Sequence, residues 1–204
     1  MYIYWYGQSS FKLQGKEVTV LLDPYSSRAM GLRGPNFKAD IVVLNNTATS
    51  IQAKKDNKEG FVVDGPGEYE IKDVFLLGVQ TKSNRLIYQI ELEDIKIGYL
   101  GEINQNLTDS DLEKIDNVDV LLVPVGGKKN TLDAETAAEI IREIEPKIVI
   151  PCCYQVPGLK VQLDPLEKFL KEMGVKKAEA EDKIRLAKKE LPEDGMKIMV
   201  LKNS

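Results

Sequence analysis

The first hundred residues alternate between short apolar segments and polar turns, a pattern typical of β-strands joined by short connections. The segments MYIYWY, SFKLQ and VTVLLD come first and are separated by turns at residues 7–9 and 15–16. A loop that contains proline and glycine covers residues 24–38, and the short buried segment IVVL follows it. Three further segments, VFLLGV, LIYQIEL and IKIGYL, complete a half of the chain that we predict to be almost entirely β-structure.

The second half changes to a succession of strands and helices. The continuous apolar segments VDVLLVPV and KIVIP are typical of strands buried on both faces. Thr108 is positioned to cap one helix, and a second helix opens at Thr131 or Asp133. A third helix is predicted in DPLEKFLKEMG, with Asp164 as its cap and Gly174 at its end. Strands followed by βα units predict two stacked sheets with helices outside, in a single domain over residues 1–204.

The composition narrows the chemistry further, because the chain of 204 residues contains no histidine. Mechanisms that depend on Ser-His-Asp, Cys-His or histidine-bound metal are therefore excluded. The net charge of −4 argues against a surface that coats nucleic acid. No apolar run reaches the roughly 18 residues that cross a membrane. Two neighbouring cysteines form no disulfide framework, so we expect a cytoplasmic protein.

Seven segments resemble, in their order along the chain, the metallo-β-lactamase-fold hydrolases: YWYGQSSFKLQ, VLLDPY, ADIVVLNN, DGPGEYEI, IGYLGEIN, VDVLLVPVGG and PKIVIPCCY. The closest resemblance is to the small, lactonase-like branch of Zn-dependent hydrolases, and it extends over essentially the whole chain. DGPGEYEI and VDVLLVPVGG are its most specific segments. The resemblance implies an α+β fold, the four-layer αββα sandwich, in one domain.

The resemblance also implies where metal ligands should lie, and other residue types occupy those positions. The family motif of histidines and an aspartate after a buried strand falls on Asn46, Ala48, Ser50 and Ile51. None of these side chains is a ligand of the expected type. The aspartate that bridges the family's metals falls on Glu102, which is a chemically suitable ligand but one methylene longer.

The segment IPCCY places Cys153 where the family has another metal-binding histidine. One thiolate and one carboxylate do not make a zinc site, because catalytic zinc usually has three protein ligands. Zinc, the family's cofactor, is therefore not expected here. Three interpretations of the cysteines stay open: small buried apolar residues, a metal ligand with Glu102, Asp64 or Glu68, and a thiolate nucleophile activated by a cation.

We therefore expect a degenerate family member that binds an unknown small molecule or protein through the former cleft. Nucleic-acid and membrane partners are not expected, and a homo-oligomer stays open. The alternative is an active metal-dependent hydrolase of esters, lactones or phosphodiesters with a rebuilt carboxylate and thiolate site, so enzyme activity is not decided by the sequence. We also expect a smaller, more apolar pocket than in metal-binding relatives. The candidate cleft residues are Asn46, Ala48, Ser50, Ile51, Asp64, Glu68, Glu102 and Cys153.

Overall fold

A computed structural model describes residues 1–25, 30–46, 60–128 and 131–204. The first sheet has the strand order β13-β1-β2-β3-β4-β5. Its strands are β1 (Tyr2–Gly7), β2 (Ser10–Gln14), β3 (Thr19–Leu22), β4 (Ile41–Val43), β5 (Phe61–Val63) and β13 (Ile184–Arg185). Strands β3, β4 and β5 run parallel, whereas β1 and β2 form an antiparallel hairpin.

The second sheet has the strand order β14-β11-β10-β9-β8-β7-β6. Its strands are β6 (Gly67–Ile71), β7 (Val74–Gln80), β8 (Leu86–Leu92), β9 (Ile95–Tyr99), β10 (Val120–Pro124), β11 (Ile148–Cys152) and β14 (Lys197–Ile198). Strands β9, β10, β11 and β14 run parallel. A small separate pair joins β12 (Ala180–Glu181) to β15 (Val200–Leu201).

Three α-helices and a short 3₁₀ helix belong to the second half of the described chain. They are α1 (Asp109–Lys114), α2 (Ala134–Ile144), α3 (Leu166–Glu172) and the 3₁₀ helix Lys188–Glu190. The predicted α+β class and αββα sandwich are confirmed, whereas the single-domain boundary of 1–204 stays a prediction. No helix among the described residues is long and apolar enough to cross a bilayer.

Local sequence signals explain where the first two helices begin. Thr108 caps α1, and its hydroxyl and backbone exchange hydrogen bonds with Asp111 in a capping box. Asp133 caps α2 by accepting a hydrogen bond from the backbone N–H of Thr136 at 2.9 Å. Both capping predictions are confirmed, with Asp133 rather than Thr131 as the cap of α2.

The predicted cap of the third helix is wrong. Pro165 occupies the cap position of α3, and no side-chain hydrogen bond caps this helix. The carboxylate of Asp164 instead contacts two ammonium groups, Lys168 Nζ at 2.6 Å and Lys128 Nζ at 3.5 Å. Asp164 lies one position before the cap, so its carboxylate pairs with lysines and makes no capping bond to this helix. Gly174 does follow the helix, with a φ of +70° that suits glycine.

The main core is formed by both sheets and by the buried faces of helices α2 and α3. Its largest fully buried side chains are Trp5, Phe11, Tyr88, Tyr99 and Phe169. Two buried tyrosines keep their hydroxyl groups satisfied by bonding across the sandwich: Tyr88 donates to the Leu44 carbonyl at 2.9 Å, and Tyr99 donates to the Ser9 carbonyl at 3.0 Å. These bonds hold the strand ends of the two sheets together.

Candidate functional site

Polar side chains at four strand ends of the two sheets form the candidate site. Asp23 follows β3, Asn45 follows Leu44 beyond β4, Glu102 follows β9 closely, and Cys153 follows β11. We call these four residues the strand-end cluster. In α/β sheets the carboxyl ends of parallel strands commonly carry ligand-binding groups, which makes this edge the expected place for chemistry.

Asn45 is buried and joins the two sheets. Its side-chain Nδ2 donates to the carbonyl of Leu86 and to the carbonyl of Leu100, the latter at 3.3 Å. Its Oδ1 accepts from the backbone N–H of Glu102 at 3.2 Å. Gly101 has a φ of +60°, and a Cβ there would lie 2.4 Å from the Asn45 amide, so this position requires glycine.

Asp23 accepts hydrogen bonds from both sheets. Its Oδ1 accepts from the backbone N–H of Asn45 at 2.7 Å, and its Oδ2 accepts from the hydroxyl of Tyr99. Burial raises the pKa of Asp23 to about 6, although the hydrogen bonds from Tyr99 and Asn45 oppose that rise. The negative charge of Glu102 adds a smaller upward contribution. The carboxyl group of Asp23 therefore serves as a structural acceptor whose pKa lies well above the usual value for aspartate.

Glu102 is the carboxylate of the cluster that lies beside a cation. It is partly buried, and burial raises its pKa above the usual value. The positive charge of Arg85 and a hydrogen bond with the side chain of Ser9 oppose this rise. Glu102 and Arg85, both partly exposed, place an acceptor beside a cation, while the buried Ser9 supports the Glu102 carboxylate; an acceptor next to a cation is suited to polar ligand recognition.

Cys153 is fully buried and has a φ of +54°. Its backbone N–H donates to the Gln8 carbonyl at 3.3 Å, and its Sγ lies 3.8 Å from Cys152 Sγ. Burial raises the pKa of the Cys153 thiol well above its usual value, and the neighbouring Cys152, Glu102 and Asp23 raise it further. The thiol is therefore protonated at neutral pH, which favours the interpretation as a buried apolar residue over that of a thiolate nucleophile.

The remaining predicted site residues do not all meet at this edge. Asn46 is partly buried beside Asn45, and Asp64 is partly buried after β5, where its charge contributes to a raised pKa of Tyr88. Glu68 is exposed on β6, a strand at the edge of the second sheet. Three predicted positions lie outside the described residues: Ala48, Ser50 and Ile51. The expected small apolar pocket floor, which depends on them, stays a prediction.

Sequence reasoning missed the residue that organises the site. It selected Asn46 from the NN pair, whereas Asn45 makes the bonds between the sheets. Tyr99 and Ser9 were also missed, because their role depends on partners far along the chain. Two features of the sequence could have pointed to them: Asn45 comes directly after a buried strand, and Tyr99 lies at a strand end. Neither feature specifies the hydrogen-bond partner.

The side chains around the strand-end cluster do not fit the family's metal. Within the described ranges, no group of three or more His, Cys, Asp or Glu side chains is arranged to hold an ion. Asn45 already uses its side-chain oxygen and nitrogen on backbone groups, and Asp23 hydrogen-bonds with Asn45, Tyr99 and Ser9. The cluster as described therefore stabilises the strand ends and lacks the ligand number of a catalytic zinc site.

Residues 2–153 match the family model of the beta-lactamase superfamily domain. The chain belongs to this superfamily. A UPF0173 protein of Pyrococcus furiosus is 28% identical over 206 residues, covering 85% of this chain and 90% of that protein. A crystal structure from Thermotoga maritima, described as a candidate Zn-dependent hydrolase of the metallo-β-lactamase superfamily, is 30% identical, with a TM-score of 0.81 and 98% of both chains covered.

A more distant structure shares the fold alone. Igni18, described as a metallo hydrolase from Ignicoccus hospitalis, is 16% identical with a TM-score of 0.65, and the match covers 91% of this chain and 98% of Igni18. The description of the Thermotoga protein names a Zn-dependent hydrolase. It overturns the expectation of a protein without a cofactor, because it points to a metal as the cofactor of the family.

Proposed function

We propose that this hydrolase-like superfamily member binds a small molecule or a partner protein at the strand-end cluster and does not turn it over. The observation that supports the proposal is the bonding of Asn45, whose amide holds the two sheets together through three backbone groups. A side chain used in this way positions the strand ends rigidly. A rigid polar edge is suited to recognition of a ligand.

Hydrolysis requires an activated nucleophile or a general base placed against water. The raised pKa of Cys153 keeps its thiol protonated, and Asp23 is already engaged in hydrogen bonds with Asn45, Tyr99 and Ser9. Glu102 is the partly exposed acid of the cluster, and Arg85 and Ser9 lie near it. We assign ligand contact to Glu102 and Arg85, and we assign the buried Ser9 to positioning the Glu102 carboxylate through its hydrogen bond.

The second candidate function is a metal-dependent hydrolase of esters, lactones or phosphodiesters with a rebuilt site. The description of the Thermotoga protein, which matches this chain along nearly its whole length, favours it. Glu102, Cys153 and Asp64 would supply the rebuilt site. Glu68 is a weaker member of this set, because it is exposed on the edge strand β6.

One experiment separates the two functions. The purified protein is incubated with zinc or manganese, its bound metal is measured by elemental analysis, and ester, lactone and phosphodiester hydrolysis is assayed. A parallel thermal-shift screen tests small metabolites. Glu102→Gln removes the charge with little change in shape, and Glu113→Gln is the matched control on the exposed surface of α1.

The binding proposal predicts no turnover above that of a protein-free control and a ligand-dependent thermal shift that Glu102→Gln abolishes and Glu113→Gln preserves. Turnover that depends on added metal and disappears in Glu102→Gln alone would overturn the proposal and establish the hydrolase. A thermal shift that both variants preserve would place the ligand elsewhere on the molecule and would also overturn it.

A further inference from the structure

The side of the sandwich between β5 and β6 carries an unusual combination of exposed residues. Strand β5 is the last strand of the first sheet, and β6 is the last strand of the second. Each therefore has one long edge without a strand neighbour within the part of the chain that the structure describes. Such edges present backbone N–H and C=O groups that pair readily with another strand.

The space between these two edges is lined by apolar side chains. Phe61 is 49% exposed although its pairing partner on β4, Ile41, is fully buried. The ring of Phe61 lies 6.4 Å from the ring of Tyr69 on β6, and Tyr69 and Ile71 pack partly buried against the main core. Apolar surface that adjoins the core is thus exposed at this side, which is a feature of interaction surfaces.

The opposite face of β6 is acidic. Glu68 and Glu70 alternate with Tyr69 along the strand and are exposed. Within the described residues neither glutamate forms a salt bridge. Phe75, which pairs with Glu70 across the two strands, is 53% exposed. This face therefore offers unpaired negative charge next to apolar surface.

We propose that β6 is the docking edge for an extended segment of a partner protein whose side chains alternate between basic and apolar. The segment adds to the second sheet as a further strand. Its basic side chains face Glu68 and Glu70, and its apolar side chains enter the space beside Phe61 and Tyr69. Strand alternation places the two sets on opposite faces, as the two faces of β6 require.

Charge complementarity selects this occupant over a second copy of the chain. Antiparallel pairing of β6 with itself, centred on Tyr69, places Glu68 of one copy opposite Glu70 of the other. Like charges directly opposite each other in a sheet are destabilising. Glutamates on the edge thus oppose self-association, and the same glutamates attract a lysine- or arginine-bearing strand.

The proposal is tested with a short synthetic peptide of alternating lysine and valine, and with its glutamate–valine counterpart as the control ligand. Binding is measured by fluorescence anisotropy, and amide hydrogen exchange locates the bound segment. We expect saturable binding of the lysine peptide alone, slower exchange of the β6 amides, and at least about tenfold weaker binding to the double variant Glu68→Lys, Glu70→Lys.

A matched double variant, Glu135→Lys with Glu139→Lys, makes the same charge change on the exposed face of α2. It should leave binding within about twofold of the wild type, because screening limits the reach of a distant surface charge. Four results would each overturn the proposal: an equal loss of affinity in both double variants, equal binding of the glutamate peptide, no binding of the lysine peptide, or β6 amides that are not protected from exchange. A concentration-dependent dimer with β6 amides already protected would assign the edge to a second copy and would overturn it as well.

Discussion

Replacing Asn45 by alanine tests whether this side chain holds the two sheets together. The change removes two hydrogen bonds to the carbonyls of Leu86 and Leu100 and one from the N–H of Glu102. At about 1 kcal/mol for each bond, the loss is about 3 kcal/mol. Because Asn45 is 1% exposed, a small cavity and the unpaired backbone groups raise the expected cost to about 3–5 kcal/mol.

The assay is urea unfolding followed by circular dichroism and tryptophan fluorescence, with a thermal melt in parallel. A cost of about 3 kcal/mol lowers Tm by roughly 6–12 °C in a chain of this size. Asn106→Ala is the control, because Asn106 is exposed and its side chain accepts a single bond from the adjacent Leu107 N–H. An Asn45→Ala variant that unfolds within about 0.5 kcal/mol of the wild type would refute the reasoning, since a buried amide with three partners cannot be dispensable.

Three further predictions concern the same edge of the sandwich. Burial holds the Asp23 pKa near 6, above its usual 3.8, so this group's contribution to stability is fully present below about pH 4 and is lost as the pH rises through 6. Asp23→Asn lacks this titration, so its free energy of unfolding should rise relative to that of the wild type between about pH 4 and pH 6, by up to about 3 kcal/mol. Denaturant unfolding at a series of pH values measures this difference, and a difference that does not change with pH would contradict the prediction. Thiol reagents should modify Cys153 no faster than the protein unfolds, and rapid labelling of the folded protein would contradict its burial and raised pKa. Gly126→Ala should lower the free energy of unfolding by about 3 kcal/mol or more, because its Cβ would lie 1.9 Å from the Cys153 carbonyl oxygen. Gly195→Ala is the control: open space surrounds this position, so the loss should be about 1 kcal/mol. Equal unfolding midpoints of the two variants would count against the close contact.

The elements of the fold were predictable where a local pattern decides them. The cap at Thr108 and the cap at Asp133 depend on residues within one helical turn, and both are present. The cap at Asp164 failed because the helix begins at Leu166 with Pro165 at the cap, which leaves Asp164 one residue outside it. A cap prediction therefore depends on the exact first residue of the helix, which the local sequence pattern does not determine.

The candidate site was predictable only as a set of strand ends. Glu102 and Cys153 could be placed there, because the resemblance to the metallo-β-lactamase-fold hydrolases puts both at metal-ligand positions after strands, and both do follow strands. Whether a thiol is reactive depends on burial and on neighbouring charges, and these come from several strands. The same holds for Asn45, whose three partners lie between 41 and 57 positions away along the chain. Sequence patterns carry no information about such pairings.

The bonds around β1 have a consequence for how the protein forms during synthesis. Ile3 pairs with Ile184, the Leu186 N–H donates to the Met1 carbonyl at 3.0 Å, and the Ser204 N–H donates to the Trp5 carbonyl at 3.0 Å. Residues near Trp5 leave the ribosome long before those near Ser204. The first sheet therefore stays incomplete on the β1 side of its hairpin until residues 184–204 have been synthesised. Nascent chains should thus complete this sheet only after synthesis has passed this segment.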